Sequence, residues 1–239
     1  MLEQVDLSLT LAHDKYDKEM PDLQLKLLEL QQQVRNTEAQ VIIMYEGWDA
    51  SGKGGSIQRI TEKLDPRGYR VWSISAPNEV ERQYHYLWRF WTHIPAHGQI
   101  AIFDRSWYGR VLVERVEKFA KKEAWKRAYR ELRDFERLLV NDGTVLIKFW
   151  LHISKDEQLK RFKEREDDKF KTWKIGPEDW RNREKWDEYV EAAEEMFAET
   201  NTPEAPWNII AANDKHYTRF ETAHIVCKRL EEALIKDKG

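Results

Sequence analysis

The stretch YEGWDASGKGG, residues 45–55, constrains the fold more than any other part of the chain. It follows Val41-Ile-Ile-Met-Tyr45, a short unbroken apolar run of the kind a strand shows when a parallel sheet buries both of its faces. It precedes a stretch of helical periodicity over residues 53–64. Strand, glycine turn and helix in that order bring backbone N–H groups and a helix N-terminus together on one anion. Inside the turn lies Gly-x-x-x-x-Gly-Lys, the spacing of a phosphate-cradling loop, with Gly54 where a Ser or Thr normally supplies a Mg²⁺ ligand. The spacing alone is a weak signal, and the strand-to-helix context strengthens it. The loop therefore comprises Ala50, Ser51, Gly52, Lys53, Gly54 and Gly55, with Lys53 as a point charge on phosphate and the glycines allowing close backbone approach.

The missing hydroxyl needs a replacement. Asp49 offers a harder, more charged oxygen ligand from within the loop, although an Asx-turn role would also explain it. A second carboxylate stands in IAIFDRSWYGR, residues 100–110, where four apolar residues lead to Asp104 at a strand's carboxyl end. That is where a second acid must lie to reach the same metal. Capping of the next helix is the plainer role for Asp104. Arg105 and Arg110 follow as candidate phosphate forks, since guanidinium binds phosphate oxygens bidentately and stays charged.

Further strands are expected at residues 69–74, 100–103, 144–151 and 207–212, each separated by a helical segment. Five strands in β-α alternation give a parallel sheet with helices on both faces and ligands beyond the strands' carboxyl ends. Residues 14–37 place Leu23, Leu27, Leu30 and Val34 at helical spacing, in a helix that caps the domain or pairs with another subunit. Residues 160–189 break the rhythm with Arg161, Arg165, Arg181, Arg183 and six Lys, reading as a helical hairpin interrupted near Gly176-Pro177. The expected organisation is one domain over 1–239 with this hairpin as a projecting lid.

A net charge of −3 argues against a general nucleic-acid coat, so any anion site must be local. One cysteine, Cys227, excludes an intrachain disulfide and a cysteine-built metal cage, and fits a reducing cytosol. No window reaches the roughly 18 apolar residues of a membrane span, and acidic residues precede any apolar run, so neither export nor insertion is expected. His85, His93 and His97, on an expected Trp-rich helix, carry no partner pattern and read as packing or surface groups. Trp88, Trp91 and Tyr108 could stack a base, with a core role as the plainer alternative for each.

Three separated motifs, GWDASGKGGSIQRITEKLDPRGYRV, PAHGQIAIFDRSWYGRVLVERVE and EREDDKFKTWKIGPEDWRNREKWDEY, resemble the polyphosphate kinase type 2 family in sequence and order, from about Met44 to Leu234. The resemblance implies a P-loop kinase-like α/β/α sandwich with a helical lid, moving phosphate between inorganic polyphosphate and a nucleotide with Mg²⁺ or Mn²⁺. By that resemblance Asp49, Lys53, Asp104 and Arg105 form the catalytic set, with Asp49 and Asp104 on the metal, Arg110 toward phosphate, and Arg165 and Lys169 on the polyphosphate. The segments around residues 77–98 and 109–132 are closer to members that use AMP, some of which also take ADP. The resemblance also implies a cytoplasmic dimer or tetramer. A basic segment is a natural receptor for a chain with about one charge per phosphate and no base to read. Direct in-line attack with the lid excluding water is expected, and a phosphohistidine route is the rival. The competing readings are an ATP-dependent nucleoside monophosphate kinase and a silent P-loop scaffold.

Overall fold

In the computed structural model, which describes residues 1–236, the apolar run that opens the phosphate-loop motif is the central strand of the sheet. Along the chain come α1 (His13–Val34), β1 (Val41–Gly47), α2 (Lys53–Thr61), β2 (Tyr69–Ser73), α3 (Trp88–Trp91) and β3 (Ile100–Asp104). They are followed by α4 (Val113–Val116), α5 (Lys122–Asn141), β4 (Val145–His152), α6 (Lys155–Asp167), α7 (Pro177–Glu184), α8 (Trp186–Thr200), β5 (Trp207–Ala211) and α9 (Lys215–Lys236). The strand order is β2-β3-β1-β4-β5, every pair parallel. Residues 41–45 of β1 are at most 1% exposed, because helices cover both faces: α1, α2 and α9 on one side, α4, α5 and α8 on the other. The fold is the expected three-layer α/β sandwich.

Helix α1 settles the question its leucines posed. Leu27, Leu30 and Val34 are buried, Leu23 packs against the core, and α1 lies along α9, so this apolar stripe caps its own domain. The helix ends at Val34 rather than 37, where Thr37 Oγ1 bonds back to the Val34 carbonyl.

One expectation is corrected, and the core role preferred for Tyr108 is borne out. The Trp-rich helix shrinks to Trp88–Trp91, leaving His85, His93 and His97 outside it. Tyr108 is no base platform: it is fully buried, donating to Glu136 Oε1 at 2.6 Å and accepting from Lys148 Nζ at 3.0 Å. Lys148, also fully buried, donates to Glu136 Oε2 and the Thr200 carbonyl, 2.8 Å each, while Trp107 Nε1 donates to Glu136 Oε1. This network ties β4 to α5 and the end of α8, and burial pushes the Lys148 pKa down against the opposing pull of Glu136. A buried pair of this kind adds little net stability over an apolar replacement, but losing one partner strands the other. Lys148→Met should lower the unfolding free energy by about 3–5 kcal/mol, measured by urea denaturation. A loss under about 1 kcal/mol would mean that Lys148 contributes no more here than an exposed ion pair does.

Candidate active site

The loop after β1 owes its shape to a close approach that only glycine permits. Gly47 has φ +132°, and a Cβ there would sit 2.4 Å from the Leu151 carbonyl oxygen of β4. Ala50 (φ 62°) and Gly52 (φ 107°) are left-handed, and α2 then begins at Lys53. The first-turn N–H groups of α2 have no intrahelical partner, as at any helix start, so they face the strand ends with their donors free. The Lys53 ammonium folds inward, donating to the carbonyls of Gly47 at 2.8 Å and Trp48 at 3.0 Å. Burial pushes its pKa down, opposed by Asp49, Asp104 and Glu46. To meet a phosphate, Nζ must exchange those carbonyl bonds for phosphate oxygens.

Asp49 and Asp104 both lie within electrostatic reach of Lys53 and Arg105. One Asp49 oxygen accepts from Arg105 Nη2 at 3.1 Å, and the other accepts from Asn182 Nδ2 on α7 at 2.9 Å. The Asp49 side chain therefore forms no Asx turn; the local turn is closed by the Ser51 N–H on the Trp48 carbonyl. Asp104 caps no helix, since Ser106 caps the turn at Trp107–Arg110, and its carboxylate accepts no hydrogen bond among the described residues. The absent hydroxyl of position 54 falls beside that acid: a Cβ on Gly54 would be 3.9 Å from Asp104 Oδ2. Two hard carboxylates with room between loop and strand suit a small divalent cation that keeps waters and takes phosphate oxygens. Among the described residues no cluster of three or more Asp, Glu, His or Cys is assembled to cage a metal.

Arg105 also sits in the left-handed region, φ 66°. The strain is held by a residue that sequence reasoning passed over. Glu46, 5% exposed at the end of β1, accepts from the Ser106 N–H and hydroxyl, 2.7 Å each, while the Arg105 N–H donates to the Tyr45 carbonyl. Burial raises the Glu46 pKa, opposed by the Ser106 bonds, Lys53 and Arg105. Burial works against the Arg105 charge, yet Asp49, Glu46, Asp104 and Asp179 push its pKa above the usual arginine value. A charged residue closing an otherwise apolar strand was the signal available for Glu46.

Arg110 stands apart from this cluster. Its guanidinium pairs with Glu114 at 2.9 Å and lies 4.4 Å from the centre of the Tyr86 ring. The lid begins earlier than residue 160, with α6, turns at Thr172–Lys174, and returns through α7; α8 then leaves it to pack Ala192, Ala193, Met196 and Phe197 in the core. Its arginines are less available than a row of free cations. Arg161 is buried against backbone carbonyls, Arg183 bonds to the Lys155 carbonyl and Gln158, and Arg181 and Lys185 share Glu117 at 3.0 Å each. Arg165 remains half-buried within electrostatic reach of Asp49 and Asp179, while Lys169 is exposed in the turn at the lid tip. Trp186 stacks on Trp48 at 3.8 Å between ring centres, holding the returning lid against the loop.

His85 and His97 are exposed on their side chains, and the His93 ring lies 3.9 Å from that of Trp72. His152, at the end of β4, was not anticipated: its Nδ1 accepts from Trp48 Nε1 at 2.9 Å, and burial lowers its pKa from 6.5 to about 4. A histidine depressed in the folded state stabilises the fold above its unfolded pKa, and that contribution is lost as pH falls through the folded value. Stability should therefore decline between pH 6.5 and about 4 with a component of up to about 1.4 kcal/mol per pH unit. His152→Gln should flatten that component in a pH series of denaturant melts; an unchanged slope would mean that His152 protonates without penalty.

A glycine-shaped loop at the end of a central parallel strand, acids following β1 and closing β3, and a helical hairpin over them define an α/β protein with a P-loop kinase-like fold. The sequence model of the polyphosphate kinase 2 (PPK2) family matches residues 10–238. The chain belongs to that family. It is 48% identical to a Pseudomonas aeruginosa polyphosphate:AMP phosphotransferase over 238 residues, covering all of this chain and 48% of that protein. An ADP-polyphosphate phosphotransferase from the same organism is 41% identical over 228 residues, with 95% of this chain and 75% of that protein covered. A polyphosphate kinase 2 structure from Arthrobacter aurescens TC1 superposes with a TM-score of 0.93 at 32% identity, covering 97% of this chain and 85% of that one. The chain spans about half the length of the polyphosphate:AMP phosphotransferases it matches.

Proposed function

We propose that this chain transfers a phosphoryl group between inorganic polyphosphate and a purine nucleotide, AMP or ADP first among them, with Mg²⁺ and with Mn²⁺ able to replace it. The observation that carries the reading is the gathering of Lys53, Arg105, Asp49 and Asp104 at the carboxyl ends of β1 and β3 beneath a basic lid. The names of relatives that use AMP, ADP and GDP as acceptors support the substrate class.

Phosphoryl transfer asks for alignment and charge neutralisation rather than covalent chemistry from the protein. The free N–H groups at the start of α2 and the Lys53 ammonium would hold the donor's terminal phosphates. Arg105, released from Asp49 as substrate arrives, would grip oxygens that gain charge in the transition state. Asp49 and Asp104 would hold the divalent ion, which when bound neutralises phosphate charge and fixes orientation. The lid, latched to the loop through Asn182 and Trp186, would exclude the water that otherwise hydrolyses the donor. His152 beside the loop accepts from Trp48 through Nδ1 and is committed to packing, and a set of cations and acids around the phosphates favours direct in-line attack by the acceptor phosphate. Arg165 and Lys169 would serve the polyphosphate chain beyond the reacting group.

A homo-oligomer, dimer or tetramer, completes the proposal. Edge strand β2 exposes Val71, and Val80, Tyr84, Trp88 and Trp91 are exposed beyond it, an apolar surface suited to a second copy. No described helix is long and apolar enough to cross a membrane, and we propose a cytoplasmic location.

Incubation of the purified chain with Mg²⁺, long-chain polyphosphate and AMP or ADP, without ATP, should yield ADP or ATP. Phosphorylation only with ATP as donor would replace this reading by a nucleoside monophosphate kinase. Nucleotide binding without turnover from either donor would leave a P-loop scaffold. Asp49→Asn and Asp104→Asn should each lower turnover by about 10²-fold or more with the fold intact by circular dichroism. A near-normal rate in either variant removes that residue from the metal site.

A further inference from the structure

Three successive carbonyls of the phosphate loop are bonded to one face of α6. Gln158 Nε2 donates to the Asp49 carbonyl at 3.1 Å, and Arg161 Nη1 donates to those of Ala50 and Ser51 at 3.0 Å each. Arg161 Nη2 reaches the opposite way, to the carbonyls of Ala212 and Asn213 at 2.8 Å, and Nε pairs with Glu157 Oε1 at 2.7 Å. Residues 158 and 161, three apart, share a helix face. Arg161 is 3% exposed, so its charge is withdrawn from water and spent wholly on these partners.

In a trans peptide the carbonyl and the following N–H point in opposite directions. Fixing the Asp49 and Ser51 carbonyls on α6 therefore turns the N–H groups of Ala50 and Gly52 away from it. Neither N–H has an acceptor among the described residues, whereas the Ser51 N–H is used within the loop on the Trp48 carbonyl. The left-handed Ala50 (φ 62°) is costly for a residue with a Cβ and persists only when its surroundings enforce it. Relaxation of that backbone would swing a carbonyl toward the anion and an N–H away from it.

We propose that Arg161, assisted by Gln158, is a positioning residue that holds the carbonyl edge of the phosphate loop so that its amide edge stays presented to phosphate. The inference rests on the phosphate-site reading above and goes beyond it, because all five N–H groups of Arg161 are committed to protein acceptors. It acts through the backbone of residues 49–51 and anchors that backbone to the β5–α9 connection. A planar fork with N–H groups on three nitrogens can serve four carbonyls and a carboxylate together; a lysine cannot.

The test uses calorimetric binding of inorganic tripolyphosphate with Mg²⁺ to the full chain, with turnover and thermal melts in parallel. Arg161→Lys, which keeps charge and stem, should weaken binding about 10- to 100-fold, the range expected when hydrogen bonds to a charged group are lost. Arg161→Ala should weaken it similarly, with added methylguanidinium, at concentrations that leave the wild type unaffected, recovering a measurable part. Should the Arg161 variants fail to fold, Gln158→Leu should still weaken binding several-fold while melting cooperatively. Wild-type affinity in Arg161→Lys, or in Gln158→Leu, overturns the proposal. If the wild type itself binds no tripolyphosphate, the phosphate-site reading falls and this proposal with it, an outcome distinct from wild-type binding that the variants share.

Discussion

The contact on which the site depends is between two backbones, where Gly47 of β1 presses against Leu151 of β4. Because a Cβ at position 47 would lie 2.4 Å from a carbonyl oxygen, the chain can leave the central strand here only as glycine. That exit turns the peptide sharply from sheet to helix and delivers the start of α2 over the strand ends. Parallel β1 and β3 bring Asp104 level with Tyr45, next to Glu46, while β1 and β4 run on to Gly47 and His152, so acids distant in sequence meet at the carboxyl edge of the sheet. The sheet supplies the edge, and the glycine supplies the turn.

Charge is concentrated at that edge, and the protein manages it by internal pairing. Lys53 rests on carbonyls, Arg105 on Asp49, Asn182 on the other Asp49 oxygen, and Asp179 of the lid feels burial and repulsion from Asp49, which raise its pKa. Each of these contacts uses an atom that a phosphate or a cation would also claim. These groups are thus held by exchangeable partners, and under the proposed function ligand binding would replace one set of electrostatic bonds by another instead of ordering free side chains. Such preorganisation would limit the entropy lost on binding, and the Asp49 carboxylate joins the loop to α7 alongside the Trp48–Trp186 stack.

Much of this was legible in the sequence because it rests on patterns with physical periods. Five apolar runs predicted five strands to within a few residues, and the loop spacing after β1 located the start of α2 at Lys53. The acids at 49 and 104 were legible because each directly follows, or closes, an apolar strand. What escaped was what depends on three-dimensional pairing. Arg161 and Arg165 belong to the same charged helix and have the same residue type, yet one is buried on four carbonyls and the other, half-buried, reaches only the Lys174 carbonyl among the described residues. Nothing in a charge run tells which arginine will be buried among backbone acceptors. The core role of Tyr108 was legible, but its partner was not: Lys148 lies on a strand forty residues away and is concealed within an apolar run.

The lid therefore has a root and a tip with different physics. At the root, Gln158, Arg161 and Phe162 are buried and their polar atoms are committed to the loop and the β5–α9 connection, so this part of α6 moves with the sheet. At the tip, Phe170 and Trp173 are 86% and 77% exposed, and Lys169 has no ion partner among the described residues. A segment with few buried contacts opens at little free-energy cost, whereas one anchored by several buried charge-assisted bonds does not. Under the proposed function, movement admitting a long anionic chain would be confined to the portion of this hairpin beyond Phe162, with the loop after β1 keeping its shape.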